Sequence, residues 1–181
     1  MQKVGLGGSC YWCTEAIFRS LAGVVSVSQG WLKSREHDSF AEGVIVEYDE
    51  AIINLYAIIQ IHLHTHSSTS AHGLREKYRS AIYVYSLAQQ QKAKGCLFKL
   101  QQEFSQPLVT QVLEYQSYEP SEAEYHDYYY ADPAKPFCTN LITPKLQELL
   151  NRFGDRVSDD ARKVIEYQGS KRYEGDGYSG G

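Results

Sequence analysis

A cluster of glycines running straight into a cysteine pair constrains this chain more than any other feature. Residues 5–22 read Gly-Leu-Gly-Gly-Ser-Cys-Tyr-Trp-Cys-Thr-Glu-Ala-Ile-Phe-Arg-Ser-Leu-Ala. Glycine at that density disfavours a helix, whereas Ala16, Ile17 and Leu21 behind it recur at helical spacing. The stretch predicts a loop that feeds a helix over residues 11–21, stopping before Gly23. Cys10 then falls at or just before the first turn. There the unpaired backbone N–H groups and the helix dipole favour a thiolate, the nucleophile of sulfur chemistry. Tyr11 and Trp12 would wall it with aromatic surface. On the Cys-x-x-Cys motif alone, two buried structural cysteines are an equal competitor, because free cysteine is among the most buried residue types.

A short strand over residues 2–7 precedes this helix. β-branched alternation predicts strands over 24–31 and 40–48. Asn54 caps a helix over 55–66, and Ser86 caps another that ends near Phe104. Strands over 81–85 and 109–118 follow, then a helix from Glu122 to about Asp132. Thr143-Pro144 opens the next helix, with proline at its first position, and 155–167 form the last. Residues 1–168 make one domain, and the Gly-, Ser- and charge-rich residues 169–181 are expected to be a disordered tail. Strands and helices alternate early and the end is helical. This predicts an α/β fold (an α+β two-layer sandwich), a mixed sheet with flanking helices, rather than a barrel.

Composition excludes some functions. A net charge of −4 argues against a nucleic-acid-binding surface. No apolar run is long enough to span a bilayer, and no basic-then-apolar segment opens the chain. Four cysteines in 181 residues do not make a secreted disulfide framework, so the expected location is the cytoplasm. Fifteen tyrosines are many, and they cluster at 125–130, which suits either a pocket wall or a half-buried helix.

The segment Gly-Ser-Cys-Tyr-Trp-Cys-Thr-Glu-Ala-Ile-Phe resembles the active-site signature of the methionine sulfoxide reductase A family, Gly-Cys-Phe-Trp-(Gly or Cys)-x-Glu-x-x-Phe. Further segments agree in the family's order: Gly23-Val24 with Ser26-Val27 and Gly30-Trp31; Ala41-Glu42 with Val44, Val46 and Tyr48-Asp49; Tyr78-Arg79-Ser80-Ala81-Ile82-Tyr83; and Ala123-Glu124-Tyr125-His126-Asp127-Tyr128-Tyr129 with Phe137-Cys138 and Pro144-Lys145-Leu146. Co-linear motifs over residues 3–153 are far more specific than one short pattern.

The resemblance implies a peptide-methionine (S)-S-oxide reductase that repairs oxidised proteins. It implies Cys10 as nucleophile, Glu42 as acid, Tyr78 as a hydrogen-bond donor to the sulfoxide oxygen, and Tyr11 and Trp12 as the pocket for the substrate methyl. Independently, Glu42 shares a strand face with Val44 and Val46, and a carboxylate on an inward apolar face is rare unless paired or functional. Glu15 matches a family glutamate and equally suits a first-turn residue complementing the dipole. Attack would leave Cys10 as a sulfenic acid, which a second thiol condenses to a disulfide. Cys13, one turn on, and Cys138, distant in sequence, are both candidates for that thiol; Cys96 is assigned to the core. No bound cofactor is expected. Thioredoxin or another dithiol would regenerate the protein, which is expected to be a monomer.

Several positions depart from the family pattern. Tyr11 replaces a phenylalanine. The loop between Trp31 and Phe40 is short and lacks the tyrosine that partners the Tyr78 equivalent. Residues 71–77, Ala-His-Gly-Leu-Arg-Glu-Lys, stand where Asp-x-Gly-x-Gln is usual, so the pocket aspartate is absent. These departures leave open a member with weak or altered activity, or a binding protein on the same fold. A general dithiol–disulfide oxidoreductase is the other alternative, although its usual strand pattern is lacking. Cys10 and Cys13 with His62, His64, His66 and His72 offer zinc-type donors, but one Cys pair without a second is a weak signal, and no metal is assigned.

Overall fold

The computed structural model describes residues 1–176, with side chains described to residue 172. Five strands, β1 (Gln2–Gly7), β2 (Val24–Ser34), β3 (Ala41–Tyr48), β4 (Ala81–Val84) and β5 (Gln111–Pro120), form one sheet in the order β1-β3-β2-β5-β4. All neighbours are antiparallel except β4 and β5, which run parallel. The helices are α1 (Tyr11–Arg19), α2 (Leu55–His64), α3 (Leu87–Leu100), α4 (Tyr128–Ala131), α5 (Thr143–Phe153) and α6 (Asp159–Asp176).

The sheet is mixed and flanked by helices, as the alternation predicts, but it closes. β4 also pairs with β1, Gly5 against Tyr83 and Gly7 against Ala81, which makes a barrel and corrects the expectation of a two-layer sheet rather than a barrel. Closure needs room on the inner face, where Leu32, Tyr83 and Leu113 pack with Ala81. Glycine supplies it: a Cβ on Gly5 would meet Tyr83 Cβ at 2.7 Å, and one on Gly43 would meet Leu32 Cδ1 at 2.8 Å. The alternate residues, Val4, Leu6, Val44, Val46, Ile82 and Val84, face outward into the main core shared with α1, α2 and α5.

Local signals set most boundaries. Asn54 Oδ1 accepts the Ala57 N–H at 2.9 Å and Ser86 Oγ accepts the Gln89 N–H at 3.1 Å, so both predicted caps are present. The helix expected from Glu122 is broken instead. A single turn at Ala123–Tyr125 gives way to α4, and Asp127 between them sits at φ 55, where a helix cannot continue. The last helix runs to Asp176, past Gly169 where the tail was expected to start. The remainder of that tail, 177–181, lies outside the described residues.

Candidate active site

Cys10 is the N-cap residue of α1, at φ −51 and ψ 131. Its carbonyl accepts the Thr14 N–H at 3.1 Å and opens the helix ladder. The thiol is half-buried and sees the backbone N–H groups of Trp12 and Cys13. It does not titrate alone. Hydrogen bonding with the Cys13 thiol is the largest influence on both groups: it draws Cys13 down to about 7, with Lys145 assisting, and together with burial pushes Cys10 above the ordinary thiol range. A proton shared by two sulfurs belongs to the pair, so the first ionisation comes early and the second late. The thiolate expected of Cys10 alone is thus a property of Cys10 and Cys13 together.

Glu42 projects from β3 on the face it shares with Val44 and Val46 and is 4% exposed. Its strand is paired on both sides, with β1 and β2, so the residue does not reach solvent over a sheet edge. Burial raises its pKa, and the charge of Lys77 and the Tyr11 N–H oppose that rise. Burial wins for a reason of magnitude. Lys77 Nζ is 3.7 Å from Glu42 Oε2, but the lysine side chain is 63% exposed. Water screens an exposed ammonium, so it adds little to such a pair, whereas taking a carboxylate out of water is costly. Tyr78 stands next to Lys77, half-buried, its ring 5.0 Å from the Lys77 ammonium. With Cys10 it lines a cleft of about 520 Å³ that runs between the α1 loop and α5.

The aromatic wall is larger than Tyr11 and Trp12. Tyr11 packs on Trp31 with 5.6 Å between ring centroids. Trp12 stacks on Tyr128 at 4.1 Å and 4°, tilts against Tyr125 and meets Phe137 edge-on. The tyrosine cluster at 125–130 supplies two of these partners, Tyr125 and Tyr128. Glu15 holds them in place: buried at 2% exposure, its carboxylate accepts Asp127 N–H and Tyr128 N–H at 3.1 Å each and Gln29 Nε2–H at 2.9 Å. It therefore ties α1 to the tyrosine segment and does not serve the first turn of its own helix.

Cys13 and Cys138 are both buried free thiols on the core side of the site. Cys138 begins a π-helical turn, Cys138–Ile142, that packs against α1, and burial pushes its thiol up to about 11. Cys96 is half-buried at the edge of the core on α3. Two of the histidines bond scaffold groups: His62 Nε2 bonds the Gly7 carbonyl at 2.8 Å, and His66 Nε2 bonds Ser80 Oγ at 2.7 Å; His64, His66 and His72 line the cleft. Among the described residues no group of three or more His, Cys, Asp or Glu is placed to hold a metal ion.

Arg75, within the divergent segment 71–77, was not legible as a site residue. Its guanidinium donates to the carbonyls of Gly8 and Tyr78 at 2.9 Å, of Ser70 at 2.8 Å and of Ser67. It pins that loop to the residue before Ser9 and Cys10, at the backbone level, where no sequence motif reports it.

The family described as peptide methionine sulfoxide reductase matches residues 2–157. A peptide methionine sulfoxide reductase MsrA of Trichodesmium erythraeum is 31% identical over 175 residues, covering 87% of this chain and 99% of that protein. One from Sulfolobus acidocaldarius is 27% identical over 87% of this chain and 98% of its own. The fold is that of reduced Mxr1 from Saccharomyces cerevisiae, with a TM-score of 0.66 at 19% identity over 76% of this chain and 88% of that one. Mxr1 in complex with Trx2 gives 0.57 at 19% identity, over 67% and 81% of the two chains.

Proposed function

The chain belongs to the peptide methionine sulfoxide reductase family, and from that premise we propose that Cys10, Glu42 and Cys13 carry the reduction of methionine S-sulfoxide to methionine. The observation that supports these roles is a cysteine pair at the N-terminus of α1 and a buried carboxyl that faces Tyr11, the residue after Cys10.

The Cys10 thiolate attacks at the sulfoxide, and Glu42 gives its proton to the oxygen as charge builds there. The sulfoxide S–O bond breaks and an S–O bond to Cys10 forms, so the substrate sulfur gains two electrons and Cys10 loses them as a sulfenic acid. Tyr78 donates to the same oxygen, and Tyr11 and Trp12 shelter the methyl group. Cys13 then attacks the Cys10 sulfur: an S–S bond forms and hydroxide leaves, taking a proton to become water. Cys13 suits this step better than Cys138, because it stands one turn along α1 from Cys10 and its thiol already interacts with the Cys10 thiol.

A dithiol protein reduces the disulfide. Thioredoxin fits that role, as Mxr1 has been captured with Trx2. Oxidised proteins and peptides are the substrates, and the protein acts as a cytoplasmic monomer. No helix among the described residues is long and apolar enough to cross a membrane.

The test is turnover of each methionine sulfoxide epimer in a peptide, with dithiothreitol, by the wild type and Cys10→Ser. Turnover of the S epimer alone, abolished by Cys10→Ser, is expected. Turnover that survives Cys10→Ser would contradict the proposal.

A further inference from the structure

Lys77 sits where no motif places a functional residue, yet it is bound to Glu42 twice over. Its carbonyl accepts the Glu42 N–H at 2.9 Å, which seats the start of β3 against the segment before β4. Its ammonium lies 3.7 Å from Glu42 Oε2, longer than a hydrogen bond, and Oε2 is a buried oxygen without a hydrogen-bond partner of its own. A neutral carboxyl tolerates that position. A carboxylate there needs a counter-charge.

We propose that Lys77 is the positioning residue of the proton-transfer step, its ammonium standing beside the Glu42 carboxyl to take up the negative charge left when that carboxyl gives its proton to the substrate oxygen. The inference rests on Glu42 being the acid. The argument is differential. Before transfer, Lys77 faces a neutral group and gains little. After transfer, it faces a buried anion, so it stabilises only the later state, and an interaction of that kind accelerates a step. The groups facing Glu42 are Lys77 and Tyr78 from the segment before β4 and Tyr11 from α1. Lys77 is the only cation among them. Burial pushes the Glu42 carboxyl up and the Lys77 charge restrains it, so removing that charge lets it rise further.

The experiment is a pH profile of single-turnover methionine formation for the wild type, Lys77→Met, Lys77→Arg, Glu42→Gln and the Lys77→Met/Glu42→Gln pair. Lys77→Met is expected to slow the step about two- to fivefold and to move the descending limb to higher pH. Lys77→Arg restores both. In the Glu42→Gln background, Lys77→Met changes nothing further. A limb unmoved by Lys77→Met, or moved to lower pH, overturns the proposal. So does an equal loss in the Glu42→Gln background, which would mark Lys77 as a fold element alone. Glu42→Gln turning over with the wild-type rate and profile would instead remove the acid assignment on which the proposal stands.

Discussion

Tyr128 donates its backbone N–H to Glu15 Oε1 at 3.1 Å and lays its ring on Trp12 at 4.1 Å between centroids. One buried carboxylate on α1 thereby fixes the aromatic surface that packs on Trp12 of its own helix. The tyrosine segment has little regular structure to hold it. It carries one helical turn, then Asp127 at φ 55, then the four-residue α4. Glu15 supplies the order that a long helix would have given.

Glu15→Ala removes the acceptor for two backbone N–H groups and the Gln29 amide. Hydrogen bonds to charged groups are worth about 1.5–3 kcal/mol each, with the loss shared when one acceptor serves several donors. We expect roughly 3 kcal/mol of destabilisation in urea titration, together with a loss of near-ultraviolet circular dichroism from Trp12. An unchanged near-ultraviolet spectrum would show that the aromatic wall stands without this carboxylate.

Glu42 must be protonated to act, and burial raises its pKa above the ordinary carboxylate value. Its share of the rate is therefore full at low pH and falls as pH rises through that raised value. Glu42→Gln keeps the shape but has no proton to transfer. It is expected to lower the rate of methionine formation by about a hundredfold and to erase the descending limb, as a stopped-flow pH series would read out.

His66 gives stability its own pH dependence. Burial is the main cause that lowers its pKa from 6.5 to about 4. The unfolded chain therefore binds the proton first. The stabilising contribution of neutral His66 is complete above pH 6.5 and is lost as pH falls from there toward 4. The shift corresponds to roughly 3 kcal/mol. Urea midpoints should drop over that window in the wild type and drop less in His66→Gln.

What could be seen in the chain beforehand follows the range of the interactions. The cap at Asn54, the helix behind Cys10 and the inward face of Glu42 are set by neighbours a few residues away, and each is visible in the spacing of residue types. Closure of the sheet depends on β4 reaching both β1 and β5, pairings that join distant segments and leave only Gly5 and Gly43 as traces. The helix expected after Pro120 fails because Asp127 is held by Glu15, over a hundred residues earlier in the chain. Lys77 and Arg75 carry no sequence signal for the same reason: each acts on a residue that only the tertiary fold brings near.

The central claim is that Cys10 takes the oxygen. Its most direct test uses the Cys13→Ser/Cys138→Ser variant, which lacks both thiols able to resolve the intermediate. Mixed with a peptide carrying methionine S-sulfoxide and no reductant, it should form one methionine per chain and stop, with a sulfenic acid on Cys10 that a cyclic 1,3-dione traps for mass spectrometry. Methionine formed with the trap on another residue, or no methionine from a folded variant that still binds the peptide, would contradict the account.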